Sequence, residues 1–221
     1  MGEVVRLTFI LAAVTTVLLL ITATPIAWWL ARSHAWQREI VAAITSLPLV
    51  LPPTVLGFYL LVALGPASPL MIPLHWLGVR TLAFTFTGLV IGSLFYSLPF
   101  AVQPLRTAFE AVGRDQLEAA ATMGAAPIDR FLTVAAPLAR RGFLSAAVLV
   151  FAHTVGEFGV VLMIGGGIPG KTEVVSIRIY QLVEALEFGQ ANVLAGALAL
   201  FAFLALLLVF LIDRRFARLS A

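Results

Sequence analysis

Four stretches of this chain, each 25 residues or longer, carry no charged side chain, and nothing else in the sequence limits its fold so strongly. A helix crosses a bilayer with about 20 predominantly apolar residues. The 25 residues between Arg6 and Arg32 therefore supply a first crossing, 7–31. That run ends in Trp28 and Trp29, an aromatic pair suited to a membrane interface. A secretory leader would carry an apolar core of only about 7 to 15 residues, so a retained helix is expected. The 40 uncharged residues between Glu39 and Arg80 hold a second crossing, 40–64, closed by Gly65-Pro66-Ala67-Ser68-Pro69. Further crossings are expected over 82–105, 138–164 and 189–212. Glycines 165–167 end the fourth, and Val174 to Tyr180 is expected to lie on the membrane surface as a short helix or ribbon.

Of the 221 residues, 61% are hydrophobic and 11% charged, and the mean hydropathy is +1.05. A soluble domain of this size could not cover so many apolar side chains with polar surface. The expected fold is all-α: a single polytopic membrane domain, 1–221, with about five transmembrane helices and a hairpin over 110–137 outside the bilayer. The absence of cysteine excludes disulfides, thiolate metal sites and cysteine nucleophiles.

Five crossings put the termini on opposite sides, and the placement of Lys and Arg chooses between the two orientations. With the N-terminus outside, the inner segments hold ten basic residues: Arg32, Arg38, Arg106, Arg114, Arg130, Arg140, Arg141, Arg214, Arg215 and Arg218. The outer segments hold four, Arg6, Arg80, Lys171 and Arg178. The bias expects a cytoplasmic C-terminus in an inner or plasma membrane, with 110–137 facing the cytoplasm.

That segment carries the longest amphipathic pattern in the chain. Leu117, Ala120, Ala121 and Gly124 fall at helical spacing on one small-residue face, with Arg114, Asp115 and Glu118 elsewhere. Gly124 supplies a helix stop in the left-handed conformation, and Pro127 suits the first turn of a new helix. Pro137 repeats that start signal. Glu118, Ala119, Ala120, Gly124, Val134 and Pro137 keep the spacing of the EAA loop of ABC importer permeases, which this stretch resembles. Val134 stands where that pattern has Ile, and Ala136 where it has Leu. The resemblance implies that Glu118, Ala119, Ala120, Gly124, Ala125, Pro127, Val134 and Pro137 form the coupling helix that docks in a groove of a separate ATPase subunit.

Residues 165–172, GGGIPGKT, formally satisfy the phosphate-loop pattern, in which backbone N–H groups cradle phosphates. The context refuses it. A membrane helix precedes the motif where a strand is required, Pro169 removes an N–H, and the charge bias puts the loop outside. Lys171 and Arg178 are read as an outer docking surface, and this chain is expected to hold no cofactor and no metal, ATP belonging to a partner.

Ionisable residues inside membrane segments are few and mark function by default. His153 and Glu157 lie four apart in the fourth crossing, where a continuous helix would let them pair, with Gly156, Glu157 and Gly159 in the GEFG stretch. Neither a nucleophile nor a metal partner completes a catalytic site. Glu157 reads either as a residue bonding neighbouring helices at a narrow part of a path or as a satisfied packing residue. In the second crossing, Ser46 is followed by Pro48, Pro52, Pro53 and Thr54. Prolines at membrane depth break the helical ladder, which survives only where protein or a water-filled cavity re-satisfies it. A helix restarting at Pro52-Pro53 presents N–H groups that favour anions.

The whole chain resembles the permease subunit of molybdate importers: LPLVLPPTVLGFYLLVALG in the second crossing, GEFGVVLMIGGGIPGKT in the fourth, and the EAA-like loop between. The resemblance implies a non-catalytic subunit that passes molybdate or tungstate. It also implies a second copy of the chain, two ATP-binding cassette subunits and an external oxyanion-binding protein as partners, with the lipid bilayer around them and no nucleic acid. A sulfate or thiosulfate permease is the neighbouring alternative, and a proton-coupled secondary transporter using His153 and Glu157 is the alternative of another class.

Overall fold

The structure is a computed structural model that describes residues 1–217. Arg218 lies outside the described residues, as do the side chains of Arg214 and Arg215. The first helix, α1 (Gly2–Arg32), runs unbroken through Pro25. After a short link come α2 (Gln37–Ser46), a 3-10 turn (Leu47–Leu49), and α3 (Pro53–Leu64). A second 3-10 turn (Pro69–Met71) and α4 (Ile72–Trp76) lead into α5 (Phe86–Glu110). The segment after α5 folds as α6 (Arg114–Thr122), α7 (Pro127–Arg130), a π turn (Phe131–Ala135) and the single turn α8 (Ala136–Leu138). Then follow α9 (Arg140–Gly156), α10 (Gly159–Gly165), α11 (Val175–Glu184) and α12 (Phe188–Ala217).

The core is a three-helix packing of α1, α5 and α9. On α1, Leu11, Thr15, Leu19, Ala23, Ala27 and Leu30 recur at steps of three and four, so they form one buried face. Its C-terminal half meets Ala101, Val102, Leu105 and Phe109 of α5 and Ala146 and Val150 of α9. Small residues on such a face let the backbones approach, which is the main source of helix association where lipid is as apolar as leucine. Towards the other end, Leu11 packs with Leu89, Val90, Val161, Val174 and Ile177. There α11 is tied across to α1 by the Val175 N–H, which donates to Thr8 Oγ1 at 2.9 Å. The pair α3 and α10 packs beside α5, while α12 lies on α9 and α11 with most of its apolar surface outward.

By length and apolarity α1, α5 and α12 can each cross a membrane, and two bent helix pairs raise the number of crossings to as many as five. The stretch 40–64 is one of these pairs: α2 and α3 meet at 106° rather than forming a straight helix. The other bend, 69°, falls between the α7–α8 stretch and α9. The stretch 138–164 is likewise divided, since α9 stops at Gly156 and α10 begins at Gly159. Val174 to Tyr180 belongs to a helix, α11, that extends to Glu184.

Candidate functional site

The first helix break follows from local chemistry. Pro48 sits buried in the 3-10 turn, where the Val50 and Leu51 N–H groups both donate to Leu47 O at 3.1 Å. Pro52 is extended, with ψ 134°, as a residue preceding proline tends to be. Pro53 then opens α3 at the position where its missing N–H costs nothing. At Thr54, next in the helix, the N–H makes no backbone bond among the described residues. On the other side of the site, Glu157 is extended, with ψ 133°, and ends α9. The first turn of α10 lies directly against the start of α3. A Cβ on Gly159 would stand 2.6 Å from Pro53 Cβ, so only glycine permits this contact.

Between these breaks lie two adjoining cavities. The larger, about 550 Å³, is lined by Pro53, Thr54, Tyr96, His153, Gly156, Glu157 and Gly159 among others. The smaller, about 390 Å³, is lined by Pro48, Pro52, Pro53, Tyr96, Phe100 and His153 among others. Pro53, Tyr96 and His153 wall both, and neither lining contains a Lys or Arg. The structure thus gathers Pro48, Pro52, Pro53, Thr54, Gly156, Glu157 and Gly159, drawn from sequence positions a hundred residues apart, into one place. Ser46, at the end of α2, lines neither cavity.

Polar groups at the cavity are held by α5. Ser93 Oγ donates to Glu157 Oε2 at 2.7 Å, and Ser176 Oγ donates to the Glu157 backbone carbonyl. Glu157 Oε1 is buried without a hydrogen-bond partner. Ser97 Oγ lies 2.9 Å from His153 Nδ1 and 3.1 Å from Thr154 Oγ1. The His153 ring stacks on Phe100, with centroids 4.1 Å apart, and sits 4.9 Å from Tyr96. His153 and Glu157 therefore do not pair. The helix that would have aligned them ends between them, and each is held by a different serine of α5. Ser93, Ser97, Tyr96 and Phe100 escaped sequence reasoning. Their only signal is two pairs at i, i+4 spacing within an uncharged run, which a packing face produces equally well.

At the far end of the core, α6 and α7 form the hairpin read from the sequence. Gly124 has φ +86°, its N–H donating to Ala121 O and the Ala125 N–H to Ala120 O, and Pro127 opens α7. Glu118, Ala119 and Pro127 are exposed, and so are Met123 (87%) and Ile128 (72%), a pair of large apolar side chains that the spacing argument did not single out. Val134 is half-buried in the π turn, and Pro137 is exposed. The hairpin is anchored to α1 and α5 by Phe131, whose ring centroid lies 5.3 Å from that of Trp28 and 5.8 Å from that of Phe109. Nearby, Arg114 donates to His34 Nε2 at 3.0 Å, and Glu110 receives both Arg38 and Arg106.

The glycine-rich loop lies at the opposite end, beside the N-terminus: Met1, Glu3 and Val4 share a pocket with Pro169, Gly170, Glu173 and Arg178. It is no phosphate cradle. Helix α10 precedes it, and the N–H groups of Lys171, Thr172 and Glu173 all point at Ile168 O, at 2.9–3.1 Å. Lys171 is exposed. Arg178 reaches Glu173 at 3.5 Å, so that half of the basic pair is engaged by a carboxylate of the same loop.

An all-α chain with helices apolar enough to cross a membrane, paired helix breaks around a cavity, and an exposed hairpin at one end of its core has the architecture of a membrane permease. The chain belongs to the family described as "Binding-protein-dependent transport system inner membrane component", which matches residues 23–218. It is 58% identical over 212 residues to the molybdenum transport system permease protein ModB of Azotobacter vinelandii, covering 96% of this chain and 93% of that protein. It is 34% identical over 177 residues to ModB of Escherichia coli (strain K12), covering 79% of this chain and 77% of that one. Among solved structures, a chain of a bacterial alginate ABC transporter in complex with an alginate pentasaccharide-bound periplasmic protein superimposes with a TM-score of 0.71. That match covers 99% of this chain and 78% of that one at 16% identity, and so speaks to fold alone.

Proposed function

We propose that this chain is the permease subunit of an ATP-driven importer of molybdate, and of tungstate, which has nearly the same size and charge. The observation that carries the transport reading is the meeting of two helix breaks, α2–α3 and α9–α10, around cavities whose walls contain no fixed cation. Broken backbone at membrane depth is tolerated where it lines a cavity. A path without Lys or Arg suits an anion that must pass and not stick, because transport needs binding weak enough to release. The substrate assignment rests on the 58% identity to a molybdenum permease across nearly the whole chain.

Two copies of the chain would place these cavities at a two-fold interface, the exposed α6–α7 hairpin would dock on two ATP-binding cassette subunits, and an external binding protein would deliver the oxyanion. ATP binding and hydrolysis fall to the partner subunit. In this reading the N-terminus lies outside and the C-terminus in the cytoplasm. Supporting this, Lys171 and Arg178 sit on or beside the loop that adjoins Met1, whereas Arg32, Arg38, Arg106 and Arg114 gather at the hairpin end.

The test is reconstitution in proteoliposomes with the cognate ATPase and binding protein, following radiolabelled molybdate and sulfate. ATP-dependent molybdate uptake, with sulfate far below it, is expected. Sulfate uptake without molybdate uptake would make the chain a sulfate permease, and uptake driven by a proton gradient without ATP would make it a secondary transporter.

A further inference from the structure

Resting on that reading of a transported oxyanion, we infer that the Nε2–H group of His153 is a hydrogen-bond donor that receives the tetrahedral oxyanion inside the membrane. His153 sits one turn before the break that ends α9, its ring stacked on Phe100 and 4.9 Å from the Tyr96 ring. It walls both cavities. Its Nδ1 faces Ser97 Oγ at 2.9 Å, while Nε2 makes no hydrogen bond among the described residues. The ring thus has one nitrogen fixed by the protein and one left for whatever occupies the cavity.

Which nitrogen carries the proton follows from counting donors in a buried triad. Ser97 is 0% and Thr154 2% exposed, and Ser97 Oγ is bonded to both His153 Nδ1 and Thr154 Oγ1. If Nδ1–H donated to Ser97, the Ser97 hydroxyl would donate to Thr154, and the Thr154 hydroxyl proton would be buried without an acceptor. A buried donor without a partner costs about 1–3 kcal/mol. In the reverse arrangement Thr154 donates to Ser97, Ser97 donates to Nδ1, and every hydroxyl proton is used. Nδ1 is then an acceptor, and the ring proton sits on Nε2, as the two-nitrogen chemistry of a neutral imidazole requires.

An oxyanion leaving water loses the donors that hydrated it, and an unpaired charge at membrane depth is costly. The other walls offer it proline carbons and aromatic rings, with the Tyr96 hydroxyl and Thr54 at the start of α3 as the remaining donor side chains in the larger cavity. The one carboxylate in that lining, Glu157, is 3% exposed, with Oε2 held by Ser93. A neutral N–H on a rigid ring orients the anion without the long-lived ion pair that a Lys or Arg would form.

The experiment uses the complete reconstituted transporter and three variants. His153→Phe keeps the stack on Phe100 without a donor, His153→Gln returns an amide N–H at the same reach, and Ser97→Ala removes the group that fixes the tautomer. Loss of a hydrogen bond to a charged group predicts that the Phe variant slows molybdate uptake by about tenfold or more, that Gln recovers most of that loss, and that Ser97→Ala falls between. An independent readout is the ¹⁵N spectrum of the histidine-labelled complex. Protonated Nε2 and bare Nδ1 are expected at His153, with the Nε2 resonance moving when molybdate is added and the tautomer becoming mixed in Ser97→Ala. A protonated Nδ1, a Phe variant as fast as wild type, or Gln no better than Phe would overturn the inference. Wild-type uptake decides the substrate reading separately. If sulfate is carried instead, the same variants are scored on sulfate, and if no oxyanion is carried, both ideas fall.

Discussion

Phe131 stands edge-on to Trp28, ring centroids 5.3 Å apart and planes at 72°, so the first residue of the π turn after the α6–α7 hairpin is seated on the last turns of α1. Phe109 of α5 closes the same cluster, and Arg32 lies over Trp28 at 4.9 Å while donating to the carbonyls of Phe109 and Val112. Aromatic pairs are worth about 0.5–1.5 kcal/mol beyond their burial. Here they join the hairpin to two core helices at one point, and π turns often mark functional positions.

Phe131→Ala is therefore expected to uncouple the transporter. Molybdate carried per ATP hydrolysed should fall by about tenfold, whereas Phe131→Tyr, which keeps the ring, should stay within about twofold of wild type. The measurement is the ratio of uptake to phosphate release in proteoliposomes. An unchanged ratio in the alanine variant would show that force does not pass through this cluster.

Gly124 tests the shape of the hairpin itself. Its φ of +86° lies in the left-handed region, yet a Cβ there would meet nothing within 4 Å. The cost of Gly124→Val is thus backbone strain, about 1–2 kcal/mol, rather than an internal clash. Gly124→Asn, which tolerates that conformation, should keep most ATPase association in a co-purification assay while Val loses it. Equal recovery of both would mean the turn is not needed for docking.

The parts of this molecule that were legible in the sequence are those written by local chemistry. Pro48, Pro52 and Pro53 mark the first helix break, Gly124 and Pro127 mark the hairpin, and uncharged runs mark the crossings. The second break was not legible, because Gly156 and Gly159 look like packing glycines in a run that keeps helical spacing. Nor were the partners of the ionisable residues. Ser97 and His153 are 56 positions apart, Ser93 and Glu157 are 64, and only the packing of α5 against α9 brings them together. Phe131 was missed for the same reason, since Trp28 and Phe109 lie on other helices.

The two glycines flanking that second break differ sharply in surroundings. A Cβ on Gly159 would lie 2.6 Å from Pro53 Cβ, while one on Gly156 would meet nothing within 4 Å. Overpacking of this kind costs about 1–3 kcal/mol, so Gly159→Ala should lower the melting temperature of the purified permease in detergent and Gly156→Ala should leave it close to wild type. Equal melting of the two variants would mean that α10 is free to move away from α3.

The glycine-rich loop supplies the last test, and it separates a structural threonine from a surface lysine. Thr172 Oγ1 donates to Gly165 O at 2.6 Å and accepts from the Ile168 N–H at 2.9 Å, closing a loop in which Gly166, Gly167 and Gly170 all have φ between +64° and +71°. Thr172→Val leaves both of those groups without a partner, at a cost of about 1–3 kcal/mol, and should destabilise the permease. Lys171→Ala touches only an exposed side chain and should change stability by less than about 0.5 kcal/mol. It should also leave ATP affinity of the complex unchanged, because the N–H groups that would cradle a phosphate are spent on Ile168 O. If Lys171 belongs to the outer docking surface, its loss slows capture of the binding protein mainly at low salt, where rim charges act on association rate. ATP binding by the isolated chain, lost on Lys171→Ala, would overturn both the orientation and the assignment of this loop.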